Sequence, residues 1–529
     1  MTETITKVLV AALLATAVCF RLMHLSSIPG INGDEGWWGV QAQAWLHGQP
    51  YEARTTSGNA IDMAFLVPLG LVQLLGKPSF FLLRALPAFS NLLGLLIGFL
   101  LVRRIWGRAT ASIQTVALAI APTAISHSRF CQDPSQSIIW TSITIYLCLL
   151  GLKERPRWWL YFVASLAAFA VALVTHPTNV FVAPFLVLPL CPVVRRWIPA
   201  SRRGRVYFAA ASIAAAAVLA LFAAFVAWPA LKASTGSSTL LDKPWLATAR
   251  ARLFDGGQWF EYVRNYGRLF SGVTIYRYFS GPHLVTPIYG IAAGLVAIGV
   301  AAGIIRALRT GRSSLDYGLV SGWATMWLLF FLFAGPESIR PHVERWGLCL
   351  MAPMTLVAAR ALTTWIGTGP RARRIAIACG GVVAVALLGS FYLNYFHEFE
   401  TTGGRSHRTF VTAETEPKQL ALERVLAERS TDEPVMIVAQ DWWQYWPIAY
   451  LALGYTGVAT RRDLTGEDDP EFRGALAHGE LYFVEFERSP ELARARDWIA
   501  TRHLHASETA IQNAGGRDLF AVIKVSPGP

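Results

Sequence analysis

The chain has 529 residues, 53% of them hydrophobic and only 15% charged. A soluble domain carries about 25% charged residues, so this composition excludes an ordinary soluble enzyme and describes an integral membrane protein. The formal net charge of +13 does not point to nucleic acid as a partner, because the basic residues sit in short clusters between apolar runs, which is the pattern of a topology signal. The six cysteines lie in or beside apolar runs and form no CxxC pair, so neither a disulfide framework nor a zinc site is expected.

Runs apolar enough to span, about 20 residues each with tolerance either side, cover 8–25, 80–102, 109–126, 135–152 and 158–174. Further runs cover 180–194, 206–228, 284–307, 317–334, 346–365 and 375–395. The expected fold class is therefore a polytopic α-helical membrane protein of about eleven spans. The first run has a thin basic flank and no small-residue cleavage pattern, so it reads as a retained helix. The 180–194 run is short and contains Pro184 and Pro189, which suits a broken or re-entrant segment.

The loops alternate in charge. Arg103/Arg104/Arg108, Lys153/Arg155/Arg157, Arg195/Arg196/Arg202/Arg203/Arg205, Arg306/Arg309/Arg312 and Arg371/Arg373/Arg374 fall in one set, and the other set lacks such clusters. The positive-inside rule puts the arginine-rich set and the N-terminus in the cytoplasm of a multi-pass inner-membrane protein. The loops 26–79, 128–135, 231–283 and 335–345 and the C-terminal tail then lie outside. Composition divides the chain into a membrane part, 1–396, and a soluble extracytoplasmic part, 397–529. In the tail, 416–429, 441–453 and 491–503 read as helices and 435–439, 480–486 and 519–525 as strands, an alternation typical of a small α/β domain. The 231–283 loop is too long for a mere connector and has helical pattern over 259–266.

Three stretches in the outer loops carry chemistry. The first is Gly33-Asp34-Glu35-Gly36, opening a predicted helix on which Trp37, Trp38, Gln41, Trp45 and Leu46 recur at helical spacing. Tryptophans on one side suit a helix lying along the membrane interface, with Asp34 and Glu35 at its N-terminus where the dipole favours carboxylates. An N-terminal acid is also ordinary capping, so local pattern leaves both a catalytic pair and a cap open. The second stretch is Ser128-Arg129-Phe130-Cys131-Gln132-Asp133-Pro134, where Asp133 starts a helix and Arg129 is available as its ion-pair partner. The third is Pro341-His342-Val343-Glu344-Arg345-Trp346. Arg345 there suits bidentate phosphate binding, or snorkelling to headgroups.

These stretches, with Ala44-Trp45-Leu46-His47-Gly48-Gln49-Pro50-Tyr51, Leu83-Arg84-Ala85-Leu86-Pro87-Ala88 and Met351-Ala352-Pro353, resemble the GT-C superfamily of membrane glycosyltransferases that use polyprenyl-phosphate sugars. The groups they resemble are protein O-mannosyltransferases, lipid A aminoarabinose transferases and the broad dolichyl-phosphate-mannose-transferase-like bacterial group. The resemblance covers 8 to about 365 and is only architectural in the tail. It implies an inverting transfer of sugar from a lipid-phosphate donor to an acceptor hydroxyl on a protein, lipid or polysaccharide. Asp34 would be the base, with Glu35 and Asp133 orienting it or holding sugar hydroxyls, Arg345 binding the donor phosphate, and Arg129 assisting. Asp62, His342 and Glu344 are further candidates for substrate contact.

The sequence also departs from the family. Ser57-Gly58-Asn59-Ala60-Ile61-Asp62-Met63-Ala64-Phe65 stands where relatives have a Pro-Pro segment, and Trp346 replaces a tyrosine. Relatives that bind a divalent metal use a further acid and a histidine, for which Asp62, His176 and His342 are available without a choice among them. Gln440-Asp441-Trp442-Trp443-Gln444-Tyr445-Trp446-Pro447 suits either stacking on sugars or seating the tail on the membrane part, the second being the more ordinary use of such aromatics. A transporter or flippase would also explain many spans, but its key residues belong near mid-membrane, and no run here carries a series of ionisable residues at mid-span. A scaffold that presents the tail to partners is the third reading.

Overall fold

The chain opens on helix α1 (Thr2–Leu22) in the computed structural model, which describes residues 2–55, 58, 61–190, 245–280, 287–310, 314–405, 407–429, 433–464 and 469–527. Arg21, in the last turn of α1, is buried and donates to the carbonyls of Ala17 and Ala119. After the cis Ile28–Pro29 bond the chain enters α2 (Gly33–Leu46) through a capping box. The Asn32 side chain accepts from the Asp34 N–H at 2.7 Å, and Glu35 reaches back to accept from the Asn32 N–H at 3.1 Å. Such reciprocal capping satisfies two of the N–H groups that every helix start leaves open.

α3 (Met63–Gln73) is capped by Asp62. Its eleven residues are too few to span, and the sequence reading passed over it. α4 (Phe80–Trp106) starts at the Ser79 cap. The single run expected over 109–126 divides into α5 (Arg108–Ala119) and α6 (Pro122–His127), because proline belongs at a helix start and not in its interior. A short 3-10 turn, Asp133–Gln136, leads into α7 (Ser137–Lys153), and α8 (Trp158–Thr175) follows. Pro177–Leu190 then runs as 3-10 helix, in keeping with the interruption expected from Pro184 and Pro189. The expected span over 206–228 and the first part of the 231–283 loop lie outside the described residues.

The rest of that loop forms α9 (Trp245–Leu253) and α10 (Gly256–Ser271). α11 (Pro287–Thr310), α12 (Ser314–Phe333), α13 (Met351–Ile366) and α14 (Pro370–Phe391) complete the helical part. Among the described residues six segments are long and apolar enough to cross a membrane: Phe80–Trp106, Asp133–Lys153, Trp158–Thr175, Leu315–Phe333, Glu344–Ile366 and Pro370–Thr402. Leu93, Leu96, Leu100, Trp159, Val163, Ile291, Ile298 and Val385 stay exposed, which is where such helices meet hydrocarbon. At one end of the bundle Arg104 pairs with Glu154 at 2.6 Å, and Lys153 closes the C-terminus of α4 by donating to the Ile105 carbonyl at 2.9 Å.

The opposite end carries α2 and the tail. The tail holds a five-stranded sheet in the order β2-β1-β3-β5-β4, with β1 (Val435–Val438), β2 (Val458–Arg461), β3 (Leu481–Phe486), β4 (His505–Gln512) and β5 (Asp518–Ser526). β1 runs parallel to β2 and β3, while β5 runs antiparallel to β3 and β4. The helices are α15 (Pro417–Glu428), α16 (Trp442–Ala452), α17 (Pro470–Ala477) and α18 (Pro490–Thr501). The expected α/β alternation is present. β2 is only four residues long, and β4 is a largely exposed edge strand without an apolar face, so neither carries the periodicity that marks a strand in sequence.

α2 does not lie along an interface with an exposed tryptophan face. Trp37 and Trp38 are each 3% exposed; Trp38 packs edge-on against Phe65 of α3 at 5.0 Å, while α16 packs across the glycine face of the helix. Gly33, Gly36 and Gly39 form the seat. A Cβ on any of them would come within 3 Å of, in turn, Trp442, the Trp446–Pro447 backbone and the Tyr450 ring. Replacing Gly36 with valine therefore forces the two helices apart, at a cost of about 1–3 kcal/mol. Gly36→Val should lower the thermal midpoint of the detergent-purified protein, while Gly380→Val, where nothing stands within 4 Å, leaves it unchanged.

Candidate active site

Asp34 and Glu35 are neighbours in sequence with unlike surroundings. Glu35 is fully buried and forms a bidentate pair with Arg84 of α4, at 2.6 and 2.7 Å, and Arg84 is equally buried. Arg84 spends its other N–H groups on the carbonyls of Leu25, Pro29 and Gly30. Glu35 also accepts from the Cys131 N–H at 2.9 Å, beside the capping bond from Asn32. A buried pair is tolerable only when its remaining hydrogen-bonding capacity is met, and here it is. The expectation that Glu35 binds sugar or orients Asp34 directly is thus corrected: its carboxylate is occupied in holding α2, α4 and the 131 turn together.

Asp34 stands half-buried at the mouth of the same helix. One carboxylate oxygen accepts from the indole N–H of Trp442 at 3.0 Å. Burial raises its pKa, against the opposing pull of Arg345 and the Trp442 bond, and Glu35 adds to the rise. Arg345, in the 3-10 turn Glu344–Leu350, also acts on Asp133, His176 and Tyr278. Its guanidinium makes no hydrogen bond or ion pair among the described residues. A guanidinium without such a partner keeps its full capacity for bidentate hydrogen bonding.

Asp133 lies in electrostatic range of Asp62, Arg345 and Asp34, which places these three acids and Arg345 in one cluster. Asp62 is buried, caps α3 through Ala64, and accepts from the Thr175 hydroxyl at 3.2 Å. Burial lifts its pKa to about 6. Arg129 is not part of the cluster. It is buried and donates to the carbonyls of Phe20, His24 and Ile28, so it closes the C-terminal end of α1 and neither pairs with Asp133 nor offers itself to phosphate. Glu344 is buried with its carboxylate 3.4 Å from His127. His342 has a positive φ of 80° and its ring lies against Tyr278, 4.3 Å between centroids.

Two residues of the site escaped the sequence reading as members of it. Tyr278, beside Arg345 and Asp34, has its hydroxyl pushed up to about 12, chiefly by burial, so it remains a hydrogen-bond donor at neutral pH. Trp442 was seen only as one of several tail aromatics. Nothing local distinguishes it, since its partner is 408 residues away.

The residues available for a divalent metal do not form a ligand set. Asp62 is engaged as above, His176 Nδ1 bonds Thr178 and its ring packs on Trp346, and His342 lies on Tyr278. Among the described residues no three His, Cys, Asp or Glu side chains converge as a metal site.

No known family model and no curated protein sequence matches the chain. Solved structures do. ArnT from Cupriavidus metallidurans bound to undecaprenyl phosphate superposes with a TM-score of 0.52 and 16% identity, over 98% of this chain and 99% of that one. The same protein in the apo state gives 0.52 and 15%, over the whole of both chains. The archaeal oligosaccharyltransferase AglB from Archaeoglobus fulgidus, in complex with an inhibitory peptide and a dolichol-phosphate, gives 0.50 and 12%, over 92% of this chain and 70% of that one. The chain therefore has the fold of the GT-C membrane glycosyltransferases. ArnT is matched end to end, tail included.

The Glu35–Arg84 pair makes a clear prediction. Arg84→Met strands a buried carboxylate and should destabilise the protein by about 3–5 kcal/mol, read as a lowered thermal midpoint in detergent. Adding Glu35→Gln removes the stranded charge and should recover part of the loss.

Proposed function

We propose that the chain is an inverting glycosyltransferase that moves a sugar from a polyprenyl-phosphate donor to an acceptor hydroxyl at the outer face of the cytoplasmic membrane. The carrying observation is the opposition of Asp34, with one carboxylate oxygen held by Trp442, to the unpaired guanidinium of Arg345. The shared fold supports the reading, since one matched structure holds undecaprenyl phosphate and another a dolichol-phosphate. About eleven spans with a cytoplasmic N-terminus would put residues 1–396 in the membrane and the tail, 397–529, outside.

In this reading the acceptor hydroxyl gives its proton to the free oxygen of Asp34 as its own oxygen bonds the anomeric carbon. The bond from that carbon to the phosphate oxygen breaks on the opposite face, which inverts the configuration. The departing phosphate keeps the electron pair and meets the Arg345 charge, a stabilisation that grows along the reaction and so lowers the barrier. Tyr278 and Asp133, beside Arg345, line the space for phosphate and sugar. The acceptor is a protein, lipid or polysaccharide.

Asp34→Asn should abolish transfer in reconstituted membranes while donor binding persists, since the general base contributes about 10²–10⁴-fold. Turnover near that of the unaltered chain would overturn the assignment. Arg345→Ala should weaken binding of undecaprenyl phosphate by about tenfold or more, the worth of a charged hydrogen bond. Because burial raises the Asp34 pKa and the base must be ionised, activity should fall on acidification at a pH above the ordinary aspartate range.

A further inference from the structure

The tail reaches the candidate site through the contact of α16 with α2. Asp34 sits on the first turn of α2, with its backbone N–H fixed by Asn32. The only hydrogen bond its carboxylate accepts, among the described residues, comes from Trp442 at 3.0 Å. An indole N–H can donate but not accept, so this bond occupies one oxygen and leaves the other for a proton.

The indole, itself partly exposed, has close neighbours in Gly33, Trp446 and Arg462. Its edge lies against Gly33, where a Cβ would come 2.6 Å from Trp442 Cδ1 and 2.9 Å from its Nε1. Trp446 packs edge-on at 5.3 Å, and the Arg462 guanidinium covers the ring at 5.2 Å. The start of α16 is fastened in turn. Asp441 caps it through the Trp443 N–H at 3.0 Å and pairs with Arg408. Behind it stands Glu485 of β3, fully buried, whose carboxylate accepts from the Gln440 N–H at 3.0 Å, from the Gln440 side chain at 3.1 Å and from Gln444 at 2.5 Å.

We propose that Trp442 is a positioning residue for the transfer reaction, supplied by the tail, which orients the Asp34 carboxylate and favours its ionised form, with Glu485 holding the helix start that carries it. The inference rests on the reading of Asp34 as the base. The charges facing Asp34 are Arg345, which favours the ionised carboxylate, and Glu35, which opposes it; Asp133 and Tyr278 stand across the site and also feel its charge. The Trp442 bond acts in the same direction as Arg345. Its loss leaves burial less opposed, and the carboxylate then holds its proton to higher pH.

The test uses the full chain and Trp442→Phe, which keeps an aromatic ring in the seat and removes the donor. With undecaprenyl-phosphate-linked mannose or aminoarabinose, whichever the unaltered chain transfers, kcat should fall about tenfold, the worth of one charge-assisted bond. KM for the donor should stay constant and the acid limb of the pH profile should move to higher pH. Trp443→Phe should keep the original limb. An unmoved limb in Trp442→Phe overturns the inference. If Asp34→Asn stays active, the base assignment fails by itself; if Asp34→Asn is inactive while Trp442→Phe keeps the wild-type limb, only the present inference fails. A second arm needs no substrate. The loss of thermal midpoint caused by Trp442→Phe should shrink on acidification and be smaller when Asp34 is already Asn, whose neutral oxygen accepts a weaker bond. An equal loss at every pH and in both backgrounds overturns the inference, whatever the sugar.

Discussion

The architecture of the site depends on one buried ion pair. Arg84 and Glu35 join the start of α2 to α4, while the other N–H groups of Arg84 gather the 25–30 carbonyls, and Glu35 takes the Cys131 N–H. Taking two charges out of water costs several kcal/mol each, so such a pair is an inefficient way to add stability. What it gives is fixed geometry, because each partner is stranded if any of the surrounding segments shifts. Asp34 owes its place to that arrangement, since it is the next residue along the same first turn.

A second buried pair extends the same logic into the tail. Lys418 and Glu416 are both fully buried and bonded to each other; Glu416 also accepts from the Ile31 N–H at 3.0 Å, and Lys418 donates to the Thr409 carbonyl. The short stretch from Leu25 to Glu35 is thus held by α4 on one side and by the approach to α15 on the other. Between these fastenings only Asp34 keeps a carboxylate oxygen without a hydrogen bond among the described residues, the oxygen the proposed reaction would use. Adjacent acids come to differ in role because one faces inward to arginine and the other outward to the cluster of Asp62, Asp133 and Arg345.

Much of this was legible in the sequence. Composition and run length identified the membrane class, and the periodicity of the tail announced its sheet. The motif Gly33-Asp34-Glu35-Gly36 singled out one loop, and Asp133 and Arg345, grouped with it from sequence, lie within electrostatic range of Asp34. What failed was the assignment of partners. Arg129 looked like the mate of Asp133 because four residues separate them, yet it turns back to the carbonyls at the end of α1. Trp37 and Trp38 looked like an interfacial stripe because sequence shows a helical face but not what covers it. The glycines at 33, 36 and 39 held that information, since three bare positions on one face imply a close neighbour, but they do not say which element arrives.

The seat formed by those glycines has a consequence for how the protein is made. α2 leaves the ribosome well before α16, since Asp34 and Trp442 are 408 positions apart. At about 5–20 residues per second, the early helix waits roughly 20–80 seconds for its partner. Until then the glycine face is bare and Asp34 lacks its indole. The contact between Asp34 and its indole therefore waits on synthesis of α16: a polypeptide that stops short of it carries the acid, the arginine and the membrane helices, but not the closed arrangement they form together.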